Sequence, residues 1–370
     1  PAAPVAPAGA SGPRGEDGAR SRAPNLSLKP VAGAGAAVAA AEARAAAAAA
    51  RAAATRAACW ASLAAWLAAS RRSQPRHTPA CEWATRVIRA IGTKINLDRF
   101  YGNTDTAEVI TELIKISQPD KETKTIFLWP EGIIPNINQK QLKEFEFLFS
   151  EKFNENHLLA IGINSYEQIN EKDYFYNTLS IYDHKLNLIN DYKKVKLVPF
   201  GEFLPFEKIL NKIGLRSLTN NYQSFSSGNN REIFSVNEKG FSLKILPLIC
   251  YEIIYSGSIF NKPNFDYILN ISEDGWFGES IGPQQHFTHS IFRAIESGKY
   301  LLRSANNGIS AIINPIGKIE KKIEFGQIGY IDFKDKKIFK ETIFSKYGNK
   351  MFLVIILLYI FLIFSFNRIF

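Results

Sequence analysis

Three residues of types that carry out acyl chemistry each follow a run with strand character. Ile245-Leu-Pro-Leu-Ile-Cys250 is a short apolar run that delivers a cysteine. Thr125-Ile-Phe-Leu-Trp129-Pro130-Glu131 delivers a glutamate, with Pro130 ending the strand. Leu188–Tyr192 runs into Lys194-Val-Lys-Leu-Val-Pro-Phe-Gly-Glu202, which opens on a lysine. A thiolate is a soft nucleophile and a good leaving group, a carboxylate can take and return its proton, and an ammonium can hold a tetrahedral oxyanion. A helix-compatible segment follows Cys250 to about Phe260, so the thiol is expected at a helix N-terminus, where the dipole favours its thiolate.

Each residue also has a plainer reading. A lone cysteine at a strand end is more often buried and inert. Glu131 alone would more often be solvated, and Lys194, beside Lys193 and Lys196, more often a surface charge. Together, Cys250, Glu131 and Lys194 read as a nucleophile, a base and an oxyanion partner. Glu252 can cap the turn after Cys250 as well as serve a site. Trp276 and Phe277 read equally as core and as substrate contacts. His286 and His289 are spaced i, i+3 without any partner Cys/His pattern, so they read as solvated or hydrogen-bonded, with no metal. Arg293 and Arg303 read as structural ion-pair partners.

Composition divides the 370-residue chain. Of the first 80 residues 32 are Ala, and no Ile, Phe or Tyr precedes Ile88. Beyond that point Ile, Phe, Asn and Lys dominate. Residues 1–83 therefore read as a low-complexity Ala/Pro/Arg-rich leader, disordered or weakly helical and foreign in vocabulary to the rest. Residues 1–80 hold ten Lys/Arg against three Asp/Glu, so about +7 of the formal +10 lies there. The remainder is nearly balanced and carries no zinc spacing, RNA-binding signature or phosphate loop, which argues against nucleic-acid binding. Cys250 is the only cysteine beyond residue 83, so that part has no internal disulfide.

The elements that must position the three residues read as strands with interspersed helices. Strands are expected at Arg86–Gly92, Thr125–Trp129, Leu158–Ile163 and Tyr267–Ile271. Hairpins are expected from Tyr176–Tyr182 with Leu188–Tyr192, from Ile233–Val236 with Phe241–Ile249, and from Leu301–Ser304 with Ser310–Asn314 around Asn306-Asn307-Gly308. Helices are expected over Asp105–Ser117, Gln141–Phe153 and Pro283–Gly298. This is a layered α/β catalytic domain over residues 84–345. Met351–Phe366 is almost wholly apolar and is expected to form a membrane-spanning helix within residues 350–370.

Trp129-Pro-Glu131-Gly, Lys194-x-x-Leu-Val-Pro-Phe-Gly-Glu202-x-x-Pro205 and Ile249-Cys250-Tyr251-Glu252 resemble the nitrilase, or carbon–nitrogen hydrolase, superfamily. Asp274-Gly-Trp276-Phe-Gly-Glu-Ser-Ile-Gly-Pro-Gln-Gln-His286 and Leu301-Leu-Arg303-Ser-Ala-Asn-Asn307-Gly308 resemble its apolipoprotein N-acyltransferase branch. The resemblance implies an α-β-β-α sandwich and no cofactor. It implies Cys250 as nucleophile, Glu131 as base and Lys194 at the oxyanion, with Glu202, Tyr251 and Glu252 in support and Trp276 and Phe277 at the acyl pocket.

The implied reaction moves an acyl chain from a phospholipid, through a thioester, to the amine of a diacylglyceryl-modified apolipoprotein. The implied place is the bacterial inner membrane, with the catalytic domain on the periplasmic side, against a weak opposite indication from Lys346, Lys350 and Arg368. The family's usual membrane helices before this domain are replaced here by the leader. Where the family tends to have an Asn-Ile-x-Gln…Lys-Trp stretch, this chain has Lys94-Ile-Asn-Leu-Asp-Arg-Phe100-Tyr. The alternatives are a membrane-tethered amidase-type hydrolase and an inactive truncated or fused product.

Overall fold

The computed structural model describes residues 86–102, 104–205, 224–238, 240–257, 264–334 and 340–366. The leader expected over 1–83 lies outside the described residues. In chain order the strands are β1 (Val87–Gly92), β2 (Thr125–Leu128), β3 (His157–Ile169), β4 (Lys172–Asp183), β5 (Leu188–Lys193) and β6 (Phe234–Glu238). They continue with β7 (Phe241–Ile249), β8 (Tyr267–Glu273), β9 (Tyr300–Asn306), β10 (Ser310–Ile313), β11 (Ile319–Ile323) and β12 (Gly329–Lys334). They form two six-stranded sheets, ordered β12-β1-β2-β3-β4-β5 and β11-β10-β9-β8-β7-β6. Within each sheet the central strands are parallel, β1-β2-β3 and β7-β8-β9, and the flanking pairs are antiparallel.

Strand alternation sorts the apolar residues into three layers. Ile88, Ala90, Ile126, Leu128, Leu158 and Ala160 of the first sheet meet Ile245, Ile249, Leu269, Ile271 and Leu302 of the second. The opposite face of the first sheet, with Ile91, Phe127, Trp129, Leu159 and Ile161, is covered by helix α1 (Thr106–Ser117) through Val109, Ile110, Leu113 and Ile114. Phe149 of the short helix α2 (Glu146–Ser150) joins that layer. The outer face of the second sheet, with Leu246, Leu248, Ile268 and Leu301, is covered by helix α3 (Gly282–Ser297) through Phe287 and Ala294. The result is the expected α-β-β-α order. Each fully buried aliphatic or aromatic side chain stabilises it by about 1.5–3 kcal/mol.

Local chemistry explains most boundaries. The Asp105 side chain accepts from Ala107 N and starts α1, and Gly298, in the left-handed region, ends α3. Other boundaries differ from expectation. Gln141–Phe153, expected as one helix, is a 3-10 turn over Gln141–Phe145 followed by α2, which ends at Ser150. The segment after Cys250 is a five-residue 3-10 turn, Cys250–Ile254, rather than a helix. The two sheets are joined where β1 and β9 end: the Asn306 amide accepts from Thr93 Oγ1 at 2.6 Å and Ile95 N at 2.9 Å, and donates to Ile95 O at 2.9 Å.

After the short helix α4 (Ile343–Tyr347), helix α5 (Lys350–Phe366) is apolar on all faces, and none of its residues is buried. The expected membrane span is corrected here. The 17 residues make a helix about 26 Å long at ~1.5 Å per residue, against a hydrocarbon core of about 30 Å. Among the described residues no helix is long and apolar enough to cross a membrane.

His157, wholly buried at the start of β3, commits both ring nitrogens in the neutral state: Nδ1 accepts from Asn154 N at 3.2 Å and Nε2 donates to Asp120 O at 2.9 Å. Burial holds its pKa below the ordinary value, against the pull of the Asp120 carbonyl and charge. The unfolded chain therefore binds a proton that the fold refuses. The stability contributed is full above pH of about 6.5 and falls as acid carries the protein toward the folded pKa, by up to about 1.4 kcal/mol per pH unit. We expect the melting temperature to drop between pH 7 and pH 5, and His157→Gln to flatten that slope in the same scans.

Candidate active site

The three chemical residues meet because each lies just beyond the end of a strand. Glu131 sits in the turn after β2, and that turn lies against β3 at Gly162. A Cβ on Gly162 would stand 2.3 Å from Pro130 O and 2.6 Å from Glu131 Cα, so only glycine permits the approach. Lys194 follows β5 and is held by its own backbone, with Lys194 N donating to Asn177 O at 2.9 Å and Gly228 N to Lys194 O at 2.8 Å. Cys250 follows β7 with φ of +44°. That conformation costs a non-glycine residue about 1–3 kcal/mol and survives only where surrounding contacts impose it.

Burial and charge define the arrangement. Lys194 is 1% exposed, and its Nζ donates to Glu131 Oε1 at 3.0 Å and to Glu202 Oε1 at 2.9 Å. Burial works against the ammonium, but Glu131, Cys250 and Glu202 outweigh it and hold the lysine above its ordinary range. Asn177 Nδ2 donates to the same two oxygens, at 2.7 Å and 2.8 Å, and so screens one carboxylate from the other. Glu131 Oε2 accepts from Glu273 N at 2.9 Å, and Glu202 Oε2 from Val198 N at 2.9 Å.

The thiol of Cys250 is pushed up, first by burial and then by the Glu131 charge, with Lys194 opposing. This corrects the helix-terminus expectation, because a five-residue 3-10 turn supplies too little dipole to offset burial. The thiol rests protonated beside a carboxylate that can take its proton.

Glu252 is wholly buried. Its Oε1 accepts from Tyr192 Oη at 2.7 Å, Val195 N at 3.0 Å, Lys196 N at 3.1 Å and Arg231 at 3.2 Å, and its Oε2 accepts from Ile249 N at 3.0 Å. It thus caps the turn and also ties the lysine loop to the cysteine turn. Tyr251 packs edge-on against Tyr255, with ring centroids 5.5 Å apart.

The end of β8 carries a second buried network. Glu273 pairs with the buried Arg99 and accepts from Asn306 Nδ2 at 2.7 Å; Arg99 also donates to Gly132 O at 3.2 Å, next to Glu131. Asp274 pairs with Arg303 at 2.8 Å and with His286 at 2.9 Å. Burial would raise Asp274, but Arg303 and His286 outweigh it and hold its pKa at about 2. Trp276 and Phe277 follow on a 3-10 turn and are exposed, at 58% and 41%. Trp276 stacks on exposed Phe100 at 5.4 Å, and Phe277 packs on His286 at 5.3 Å.

The structure therefore brings Cys250, Glu131, Lys194 and Glu202 together, sets Glu252 behind them, and puts Trp276 and Phe277 on the surface rather than in the core. Arg303 and Arg293 are ion-paired as expected, Arg293 with Glu296 at 2.7 Å. Asn177 and Arg99 went unread in the sequence. An amide within the strand run Tyr176–Tyr182 was the available signal for Asn177; Arg99, in an exposed-looking Asp-Arg-Phe-Tyr, offered none.

The carbon–nitrogen hydrolase family profile matches residues 47–332. The chain is similar to the apolipoprotein N-acyltransferase of Rickettsia typhi, at 36% identity over 233 residues, covering 62% of this chain and 45% of that protein. It is also similar to the apolipoprotein N-acyltransferase of Agrobacterium fabrum, at 33% identity over 275 residues, covering 71% and 50%. The chain thus spans about half the length of these curated relatives. Among solved structures it is similar to a Saccharomyces cerevisiae member of branch 10 of the nitrilase superfamily, with 17% identity and a TM-score of 0.45, covering 68% of this chain and 90% of that one.

Glu252→Ala removes the acceptor for five donors and leaves Arg231 buried without it. Breaking such a pair costs about 3–5 kcal/mol. We expect the melting temperature to fall by roughly 10 °C, read by thermal denaturation, with Glu252→Gln intermediate.

Proposed function

We propose that this chain, which belongs to the carbon–nitrogen hydrolase family, transfers an acyl group from a phospholipid through a thioester on Cys250 to the amine of a diacylglyceryl-modified apolipoprotein. The observation that carries the reading is the buried ammonium of Lys194 between Glu131 and Glu202, acting electrostatically on the thiol of Cys250. The similarity to N-acyltransferases supports the acyl donor and acceptor.

Counting hydrogen-bond capacity supports the roles. Glu131 Oε1 receives Asn177 and Lys194, and Oε2 receives one backbone N–H, which leaves an acceptor site for the thiol proton. Glu131 takes that proton as the sulfur attacks the ester carbonyl. Lys194 has three donors; Glu131 and Glu202 take two, and the third serves the oxyanion as it forms. Collapse expels the lysophospholipid alcohol, which receives the proton from Glu131, and leaves the thioester. The incoming amine then gives its proton to Glu131 as it attacks the thioester carbonyl; the C–S bond breaks as the amide forms, and the departing thiolate takes that proton back from Glu131.

Glu202 holds Lys194 in place, and Tyr251 and Glu252 support the turn. Exposed Trp276, Phe277 and Phe100 offer apolar surface to the acyl chain, and the place of action is a bacterial inner membrane, with the catalytic domain on its periplasmic side. With water as acceptor the same residues would run the hydrolysis of their wider family.

The full chain in detergent, incubated with a phospholipid carrying a labelled acyl chain, is expected to gain a hydroxylamine-sensitive adduct by intact mass, absent from Cys250→Ala. Glu131→Gln and Lys194→Met are each expected to slow its formation at least 100-fold, within the range of losses for such groups. No adduct on folded wild-type protein would sink the proposal. Label released as free fatty acid, with none reaching a diacylglyceryl-cysteine peptide, would favour the hydrolase.

A further inference from the structure

A buried imidazole that touches the backbone of Cys250 has no part in the proton transfers above. His286, on the first turns of α3, is 4% exposed. Its Nε2 lies 3.2 Å from the carbonyl oxygen of Cys250 itself, and its Nδ1 lies 2.9 Å from Asp274 Oδ1. A carbonyl only accepts, so Nε2 carries its hydrogen and donates it. Asp274 is in turn clamped by Arg303 at 2.8 Å and by Ser272 Oγ at 2.7 Å. A Cβ on Gly308 would come 2.2 Å from Asp274 Oδ2, so the glycine is what lets the carboxylate sit there.

We infer that His286 is a positioning residue for the nucleophile, its Nε2–H gripping the Cys250 carbonyl so that the left-handed backbone of Cys250 presents the thiol to Glu131. Three observations converge on it. The backbone of Cys250, at φ of +44°, needs an external hold. The grip reaches the peptide group of the nucleophile and no other. Every partner behind the imidazole is buried: Asp274, Arg303 and Ser272 are each wholly enclosed. The thiol also feels the Asp274 charge, which raises it, so pairing that carboxylate with Arg303 and His286 spares the thiol part of the effect. Phe277, whose ring lies 5.3 Å from the imidazole, links this hold to the exposed aromatic turn. The inference rests on reading Cys250 as the nucleophile.

Two substitutions separate the atoms. His286→Gln places an amide N–H near the former Nε2 and can still reach the Cys250 carbonyl. His286→Asn places one near the former Nδ1 and can reach only Asp274. In the full detergent-solubilised chain, Cys250 is alkylated with iodoacetamide, its rate followed by peptide mass mapping from pH 6 to 10. Single-turnover acylation by the labelled phospholipid is measured beside it, with circular dichroism and melting as checks on the fold.

We expect His286→Gln to stay within about threefold of wild type in both rates. His286→Asn and His286→Ala should lose at least tenfold in both, with the acylation loss in the maximal rate rather than in the half-saturating lipid concentration. Equal rates for Gln and Asn, or wild-type rates for Asn, would overturn the inference. If His286→Ala fails to fold, the Gln–Asn pair decides alone. If wild type shows no acylation, the acyltransferase reading falls, while the alkylation series still tests His286.

Discussion

A buried ammonium is the constraint on which the rest of this structure depends. Lys194 is almost wholly enclosed, and an isolated lysine there would lose its proton rather than its water. Glu131 and Glu202 keep it charged, yet two carboxylates around one cation repel each other, so Asn177 donates to both. Backbone N–H groups of Glu273 and Val198 take the remaining sides. The two carboxylates and the ammonium hold one another in place in a low-dielectric interior, and Asn177 Oδ1 is the one buried side-chain atom among these four residues that has no partner.

The sheets exist, from the standpoint of this cluster, to bring loop ends together. Parallel strands at each sheet centre place Glu131, Cys250, Glu273 and Asp274 at carboxyl ends that face one another across the sandwich. Glu252 and Asn306 then act as rivets between segments far apart in the chain, one joining the cysteine turn to the lysine loop, the other joining β1 to β9. Their polarity is fully used, so they add rigidity without leaving a buried group unpaired.

Much of this was legible in the sequence because its signals are local. Apolar runs such as Thr125–Leu128 and Tyr267–Ile271 mark buried strands, Pro130 marks the end of the first, and Gly201 marks the loop that carries the lysine. The layer order came from resemblance rather than from pattern. What stayed hidden depends on tertiary geometry. Asn177 gains its place from two glutamates distant in sequence. His286, read as solvated or hydrogen-bonded, lies against the carbonyl of Cys250. The turn after Cys250 looked helical by composition, but a left-handed residue at its start and a five-residue length made it a 3-10 turn. Helix α5 has the apolar composition of a span but not the described length of one.

The same geometry has a consequence for the order in which the chain becomes reactive. Glu131, Asn177, Lys194 and Glu202 all precede Cys250 and lie on or beside the first sheet, so a chain folding from its N-terminal side can gather them before the second sheet supplies the Glu273 N–H to Glu131. The cysteine arrives with the second sheet, after closure of a loop of about 120 residues, among the slowest kinds of contact to form. Until then it is an ordinary exposed thiol with ordinary acidity. Once the sheets dock, burial raises the thiol and slows it toward reagents in solution. Folding thus exchanges a thiol open to any electrophile for one sheltered inside the sandwich.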